Sequence, residues 1–244
     1  MSAEPFFILQ MTMLSRPMIR YLLLALSLFA AAVVADEQNI NPDINKRYQE
    51  PDYSVWVERF ERPGRDVFNH RLEIVTAANV QPGMVVADIG AGTGLFTRLF
   101  SPSVGPAGKV YAVDIAGNFV HEIMRHARTQ GLENIEGIVS TQKDTGLPPG
   151  SIDLAFVCAT YHHFEYPRTM LQSIHRALRP DGGLVVIDFR KIEGTSSKWV
   201  MGHARANRAA VVQEIEGEGF ELIDERDFLG ANYFLRFSRQ ALGP

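Results

Sequence analysis

The sequence lacks two features that define large classes of proteins. It has one cysteine, Cys158, among 244 residues, so an intramolecular disulfide and a cysteine-based metal cluster are both excluded. It also has no Lys/Arg-rich run, and its formal net charge is −4, which argues against nucleic-acid binding. Because Cys158 ends an apolar run at 154–158, we expect a small, inert thiol that packs in the core.

The apolar stretch near the N-terminus is short for a membrane-spanning helix. Arg16 and Arg20 precede about 14 mainly apolar residues, whereas a spanning helix needs roughly 20. Small residues, ending at Ala35, then precede an acidic pair. This pattern predicts a signal peptide over residues 1–35 that is cleaved near Ala35, with an uncleaved membrane anchor as the alternative. In either case we expect the rest of the chain to be exported, either to the periplasm or out of the cell.

The remaining sequence divides into an N-terminal extension at 36–64 and one domain at 65–244. The extension is polar at first and then aromatic. Its aromatic side chains, together with Arg65, are expected to form a lid over a ligand or to pack a docking helix on the domain, and the two interpretations are compatible. The aromatic residues are Tyr48, Tyr53, Trp56 and Phe60.

Short apolar runs alternate with amphipathic stretches from residue 65 onward. This alternation predicts an α/β fold of three layers, with a mostly parallel sheet between helices. The last two predicted strands are only four residues apart, which is too short for a parallel crossover, so the seventh strand is expected to be antiparallel. Predicted strands cover 85–89, 110–114, 135–140, 152–160, 184–189, 220–228 and 233–237, and predicted helices cover 65–79, 118–130, 167–178 and 203–217, with another helix opening at 95–100.

A glycine-rich turn follows the first predicted strand. Its glycines are Gly90, Gly92 and Gly94, and glycine suits a tight turn that a ligand approaches closely. Asp114 stands twenty residues after Gly94, at the end of the second predicted strand. A carboxylate at that place can accept hydrogen bonds from both hydroxyls of a ribose. The motif therefore predicts a nucleoside-containing cofactor.

The spacing of this turn separates two classes of cofactor. A dinucleotide-binding turn has the pattern G-x-G-x-x-G, with the helix N-terminus free for a pyrophosphate. Here Leu95 occupies the place of the third glycine, and Asp88 lies two residues before the first. A carboxylate there disfavours a pyrophosphate and suits the ammonium group of a methionine. The turn therefore favours S-adenosylmethionine over a nicotinamide cofactor.

These motifs, together with the segment LRPDGGL at 178–184, resemble the signature set of class I S-adenosylmethionine-dependent methyltransferases. The resemblance covers about residues 65 to 240 and is closest to the small-molecule methyltransferases of ubiquinone and menaquinone biosynthesis. It implies a Rossmann-like three-layer sandwich. It also implies that Asp88 and Gly90 contact the methionine moiety, that Gly92 and Gly94 shape the turn, and that Asp114 holds the ribose.

The adenine end of the cofactor is assigned by the same resemblance. Ile115 is expected to lie against the adenine ring. The family usually has a polar or acidic residue after the third strand, near the adenine amino group. Asp144 is the expected counterpart in this sequence, with Thr141 and Gln142 as alternatives.

Two adjacent histidines, His162 and His163, follow the fourth predicted strand. Ligands of open α/β sheets bind outside the carboxyl ends of the strands, so we predict that one of these histidines contacts the methyl acceptor. Either could act as a general base, because the unperturbed pKa of histidine is about 6.5. Metal binding by these two residues with Glu165 is disfavoured, since adjacent side chains on an extended segment diverge, and no metal is predicted. Further substrate-side candidates are Asp188, His203 and Arg205.

The sequence as a whole predicts an S-adenosylmethionine-dependent methyltransferase that acts on a small-molecule acceptor by in-line displacement. Two alternatives remain, namely an exported protein that binds S-adenosylmethionine without catalysis and a nicotinamide-dependent oxidoreductase. We expect no nucleic-acid partner, membrane contact only through the N-terminal segment, and a monomer or a homodimer.

Overall fold

Seven strands form one sheet within residues 37–241, which are the residues that the computed structural model describes. The strand order is β3-β2-β1-β4-β5-β7-β6, and β7 is antiparallel to both of its neighbours, while the other pairs are parallel. The predicted three-layer fold with an antiparallel last strand is therefore confirmed. The strands are β1 (Val85–Ile89), β2 (Lys109–Asp114), β3 (Ile135–Val139), β4 (Ile152–Cys158), β5 (Leu178–Phe189), β6 (Phe220–Arg226) and β7 (Asn232–Arg239).

Helices cover the sheet on both faces, so that the central strands are apolar on both sides, as parallel strands require. The helices are α1 (Tyr53–Phe60), α2 (Asp66–Asn69), α3 (Arg71–Ala77), α4 (Leu95–Val104), α5 (Gly117–Thr129), α6 (Pro167–Ala177), α7 (Lys198–His203) and α8 (Arg208–Glu216). Short 3-10 turns lie at Lys46–Tyr48 and Tyr161–His163. Among residues 37–241, every helix is too short or too polar to cross a membrane. The predicted signal segment lies outside the described residues.

The helix predicted at 65–79 is broken into α2 and α3. His70 stands between them with φ −96° and ψ 13°, and its Nδ1 lies 3.0 Å from the carbonyl oxygen of Asp66. The backbone N–H of His70 donates to the same carbonyl. A side chain that competes for backbone groups in this way favours the end of a helix over its interior. The prediction of one continuous helix was therefore wrong.

The helix predicted at 203–217 is also broken, and its N-terminal part belongs to a helix that the sequence did not indicate. After α7, Ala204 is extended, and Lys191 Nζ donates to its carbonyl oxygen at 2.7 Å. The side chain of Asn207 then accepts a hydrogen bond from the N–H of Ala210 at 3.0 Å and caps α8. A capping asparagine marks a helix start, so the second helix begins five residues later than predicted.

The order of the strands reverses at β1, which has β2 on one side and β4 on the other. Connections from neighbouring strands leave in opposite directions at such a switch point, and a crevice opens beyond the carboxyl ends of the strands. The glycine-rich turn after β1 and the histidine segment after β4 lie at this edge.

Candidate active site

A cleft opens at the carboxyl ends of β1, β2 and β4. Ligands of open α/β sheets bind at this edge. The residues predicted to contact S-adenosylmethionine line it, with two exceptions, Gly94 and Asp144. Lining residues that carry the following argument are Asp88, Gly90, Gly92, Asp114, Ile115, Thr141, Gln142, Thr160 and His163.

The glycine-rich turn is bent so that all three of its glycines have positive φ. The values are +74° at Gly90, +55° at Gly92 and +76° at Gly94, a region that other residues rarely adopt. A Cβ atom on Gly90 would lie 2.2 Å from the Cγ2 of Thr160, which follows β4. Glycine at position 90 is thus required by the close approach of the two loops as well as by its backbone conformation.

Four amide groups of this turn donate hydrogen bonds within the protein. The N–H groups of Gly90 and Ala91 donate to the carbonyl oxygen of Val113, at 2.8 and 3.0 Å. The N–H of Gly92 donates to Asp114 Oδ2 at 2.8 Å, and that of Gly94 donates to the carbonyl of Ala91 at 2.8 Å. A pyrophosphate site depends on free amides at such a turn. The geometry of this turn is therefore unlike that of a dinucleotide site.

Two buried carboxylates face the cleft from either side of the turn. Asp88 is 3% exposed and Asp114 is 7% exposed. Burial raises the pKa of Asp88 to about 7, although Thr97 Oγ1 donates to its carboxylate at 2.6 Å and opposes the shift. Burial likewise raises the pKa of Asp114, against hydrogen bonds from backbone N–H groups that include that of Ala116. A cation or hydroxyl group bound in the cleft would stabilise the ionised forms.

The adenine side of the cleft differs from the prediction at one residue. Ile115 lines the cleft as expected, and so do Thr141 and Gln142. Asp144 does not, because its carboxylate accepts hydrogen bonds from the N–H of Gly146 at 2.7 Å and from Arg176 at 3.1 Å. The geometry thus favours the two alternatives, and contact between any of these residues and a cofactor stays a prediction.

The aromatic segment before β1 lies over the glycine-rich turn. Helix α1 packs Trp56 against Ala116 and Phe119, at the start of α5. Beside the turn, the side chain of Phe60 lies 3.4 Å from the position that a Cβ of Gly92 would take. Tyr48 and Phe60 line the cleft. These contacts fit both a docking helix and a lid that shields the cleft from water.

Polar contacts also connect this segment to the turn. The hydroxyl of Tyr53 donates to the carbonyl of Thr93 at 2.9 Å. Glu61, which follows α1, accepts hydrogen bonds from Thr93 Oγ1 and from Arg98 Nη2, both at 2.8 Å. Arg65 lines the cleft and donates to the carbonyl of Phe60 at 2.9 Å, and burial lowers the pKa of its guanidinium. Hydrogen bonds thus connect the aromatic segment to the turn.

The two predicted catalytic histidines occupy different environments. His163 lines the cleft, and burial lowers its pKa to about 2, with further lowering by the charges of His162, His203 and Arg47. His162 is 5% exposed and lies behind the cleft wall, with its Nδ1 2.8 Å from Asp188 Oδ1. An imidazole with so low a pKa is a weak proton acceptor. A general-base role for either histidine stays a prediction, and this geometry does not favour it.

Asn45 is a buried residue of the site that the sequence did not single out. Its amide Nδ2 donates to the carbonyl of His163 at 2.9 Å and to Glu165 Oε1 at 3.1 Å. Glu165 also accepts a hydrogen bond from Asn39. The only signal in the sequence was the asparagine-rich run at 39–45. Glu165 therefore anchors the N-terminal extension through both of its carboxylate oxygens.

The remaining substrate-side candidates divide into two groups. Asp188 and His203 lie beside His162. Arg205 instead binds both carboxylate oxygens of Glu214, at 2.7 and 2.6 Å, away from the cleft. Cys158 is partly exposed and lines the cleft, where burial raises the pKa of its thiol. The thiol is therefore neutral, and Cys158 packs against the apolar core from the side of the cleft.

The strand order and the place of the cleft are those of a Rossmann-like fold, and solved methyltransferase structures are similar to it. Residues 87–186, which are 100 of the 244 residues, match the family described as methyltransferase domain. This stretch begins in β1 and ends in β5, so it holds the glycine-rich turn, both buried carboxylates and the histidine pair. S-adenosylmethionine is the cofactor that such a domain implies.

Similar proteins agree with this assignment. The chain is 28% identical over 127 residues to the ubiquinone/menaquinone biosynthesis C-methyltransferase UbiE of Hydrogenovibrio crunogenus. The aligned region covers 50% of each chain. The chain thus matches about half the length of these curated relatives. A crystal structure of an S-adenosylmethionine-dependent methyltransferase from Aquifex aeolicus superposes with a TM-score of 0.69 at 24% identity, over 78% of this chain and all of the other. The cyclase SpnF shares the fold with a TM-score of 0.60 at 17% identity, over 70% and 80% of the two chains.

Proposed function

We propose that this protein transfers a methyl group from S-adenosylmethionine to a small-molecule acceptor by in-line displacement. One observation carries the proposal. The amides of the three glycines of the turn are bonded within the protein, while the buried carboxylates Asp88 and Asp114 face the cleft. Such a site suits an ammonium group and a ribose, and it has little to offer a pyrophosphate.

The residues of the chain bind and orient, and the cofactor supplies the chemistry in the form of a sulfonium leaving group. Asp88 would pair with the ammonium of the methionine moiety. Asp114, whose oxygens each retain acceptor capacity, would bind the ribose hydroxyls. Tyr48 and Phe60 would exclude water. Holding nucleophile, methyl and sulfur in line is worth roughly 7–11 kcal/mol in effective molarity.

The similarity to methyltransferases of quinone biosynthesis supports a small-molecule acceptor. Because SpnF is named a cyclase and has this fold, the fold by itself does not specify methyl transfer. The sequence match to a methyltransferase domain therefore supports methyl transfer beside the observation on the cleft. Neither alternative, a non-catalytic binding protein or an oxidoreductase, is favoured by an observation in the structure.

Calorimetric titration of the full chain tests the cofactor class. We expect S-adenosylhomocysteine to bind with one-to-one stoichiometry and NAD to show no measurable heat. Binding of NAD alone would overturn the proposal. Transfer of label from methyl-labelled cofactor into a metabolite extract then tests catalysis. Tight binding of S-adenosylhomocysteine without any transfer would identify a binding protein in place of an enzyme.

We also propose that the protein is exported after cleavage near Ala35. The support is the sequence pattern of residues 1–35, a basic flank followed by a short apolar stretch and small residues. Fusion of the first 40 residues to a reporter that is active only outside the cytoplasm tests this proposal. We expect an active fusion, and a silent one would exclude export.

A further inference from the structure

Three histidine rings from two distant parts of the chain meet beside the cleft. His162 and His163 follow β4, and His203 ends α7, forty residues later. The ring centroids are 4.2 Å apart for His162 and His163, 4.8 Å for His162 and His203, and 5.4 Å for His163 and His203. One imidazole nitrogen from each ring lies within 4.8 Å of the other two. Three of the seven histidines in the sequence therefore lie together at this place.

The surroundings of His162 fix its tautomer. Its Nδ1 lies 2.8 and 3.0 Å from Oδ1 and Oδ2 of Asp188. Oδ2 also accepts a hydrogen bond from the backbone N–H of His162 at 2.9 Å. A carboxylate at this distance accepts, so Nδ1 must carry a proton. In the neutral ring the lone pair is then on Nε2, the atom that faces His203.

The surroundings of His163 fix the same tautomer through Asn45. The Nδ2 of Asn45 lies within 3.2 Å of three acceptors, Gln142 Oε1, the carbonyl of His163 and Glu165 Oε1. The opposite amide orientation would place an oxygen against all three. Oδ1 of Asn45 is therefore the atom 3.1 Å from Nδ1 of His163, and that Nδ1 is a donor. The lone pair of His163 is again on Nε2.

His203 completes the group. Its Nε2 lies 3.1 Å from Nε2 of His162, and its ring is stacked on Trp199 with centroids 4.4 Å apart and an interplanar angle of 27°. Two imidazole nitrogens bound to one tetrahedral zinc ion at roughly 2.0–2.1 Å are separated by about 3.4 Å. The pair is thus close to the spacing of two ligands, and the nitrogen of His163 lies within 4.8 Å of both.

We propose that His162, His163 and His203 bind one divalent transition-metal ion through imidazole nitrogens. Metal-binding histidines commonly donate their other N–H to a carboxylate or a carbonyl oxygen, which orients the ring. Asp188 and Asn45 do this for two of the three rings here. A set of three imidazoles favours zinc, copper, nickel or iron over magnesium and calcium.

The site has the composition of a catalytic metal centre. Three protein ligands leave one position for water or for a group of a substrate. His163 also lines the cleft, so the ion would lie at the border of the space in which the methyl acceptor is proposed to bind. This second statement rests on the proposed function, whereas metal binding itself does not.

Competition titration with a chromophoric chelator tests the proposal on the metal-stripped full chain. We expect one Zn²⁺ per chain with a dissociation constant below about 1 μM. We expect His203→Ala to weaken binding at least 100-fold and Asp188→Asn to weaken it 10- to 100-fold, as for changes around other metal-binding histidines. Co²⁺ should give the visible absorption of a four-coordinate site with the wild type and lose it with His163→Ala.

His121→Ala is the matched control, because the side chain of His121 is 69% exposed and lies on α5, outside the group. It should leave the zinc affinity unchanged. Circular dichroism checks that each variant is folded.

Wild-type binding weaker than about 10 μM would overturn the proposal even if the variants failed to fold. The contact between His162 and His203 would then be an ordinary hydrogen bond. Tight binding that survives His203→Ala would overturn it as well. Calorimetry with S-adenosylhomocysteine is a separate measurement, so failure of the proposed function is distinguishable.

Discussion

The two walls of the cleft are built from the chain in different ways. The turn wall comes from β1, the glycine-rich turn and the end of β2, a single stretch at 85–114. The histidine wall is assembled from segments far apart in the sequence. Asn45 and His163 line the cleft there, and His162, Asp188 and His203 lie behind them.

This difference determines which parts of the cleft can be predicted from the sequence. In the turn wall, a motif of fixed spacing carries the geometry, because successive residues form the bend and its hydrogen bonds. In the histidine wall, the useful fact is which distant side chains meet, and no spacing encodes it. The first wall is thus predictable from a motif, while the second depends on the register of the sheet and the path of the loops.

Replacement of Gly90 by alanine should give the largest effect on the turn wall. Its Cβ would lie 2.2 Å from Thr160 Cγ2, in a backbone with φ +74°. Overpacking costs about 1–3 kcal/mol, so we expect affinity for S-adenosylhomocysteine to fall about 100-fold, measured by calorimetry. Gly150→Ala is the control, since Gly150 has φ +61° but open space around it. It should lower stability by about 1 kcal/mol and leave affinity unchanged. Equal affinity losses would contradict the close-approach argument.

Replacement of Asp114 by alanine should weaken binding of S-adenosylhomocysteine at least about tenfold, because hydrogen bonds to a charged group are worth about 1.5–3 kcal/mol. Part of the loss would come from the turn, whose Gly92 N–H donates to Asp114. Asp224→Ala removes an exposed carboxylate of β6 that pairs with Arg226, and it should have no effect. Retained affinity in the Asp114 variant would refute the ribose assignment.

The affinity for S-adenosylhomocysteine should depend on pH through Asp88. The pKa of Asp88 is about 7 in the folded protein, so its carboxyl group is mostly protonated below neutral pH. An ammonium group binds the ionised form, and the proton must therefore be released when the ligand binds at lower pH. We expect affinity to fall by up to about tenfold per pH unit below 7, and to be flat for Asp88→Asn over the same range. A wild-type profile as flat as that of the variant would exclude this pairing.

The free energy of unfolding without ligand should change in the opposite sense. The pKa of Asp88 is higher in the folded protein than in the unfolded chain, so the folded state holds more protons between about pH 4 and 7. Stability contributed by this residue therefore decreases as pH rises through that window. Chemical denaturation of the wild type and of Asp88→Asn at several pH values isolates the effect.

The smallest expected effect concerns the lid segment. Glu61→Ala removes the acceptor of Thr93 Oγ1 and Arg98, and ion pairs that water still reaches contribute about 0.2–1 kcal/mol. We expect about threefold weaker binding of S-adenosylhomocysteine. Glu58→Ala on the exposed side of α1 is the matched control and should change nothing. A Glu61 variant with unchanged affinity would mean that the segment does not close over the cofactor.

Some features near the cleft were predictable and others were not, for physical reasons. The seven strands and their antiparallel end followed from apolar runs and short connections. The break at His70 was not visible, because a histidine that binds a backbone carbonyl looks like any helical residue in the pattern. The charge of Asp144 predicts a contact with the adenine amino group, but its carboxylate is paired with Arg176 outside the cleft. Glu165 was considered with the histidine pair, but it is bonded to Asn39 and Asn45.

The sequence by itself determined the layered sheet, the bend after β1 and the two carboxylates that flank it. These features arise from local periodicity and from residues that only one backbone conformation accommodates. Only the tertiary structure decided that His203 meets His162 and that Asn45 orients His163. Such contacts depend on where the sheet, the loops and the N-terminal extension place side chains that are far apart along the chain, and short-range spacing carries no information about that.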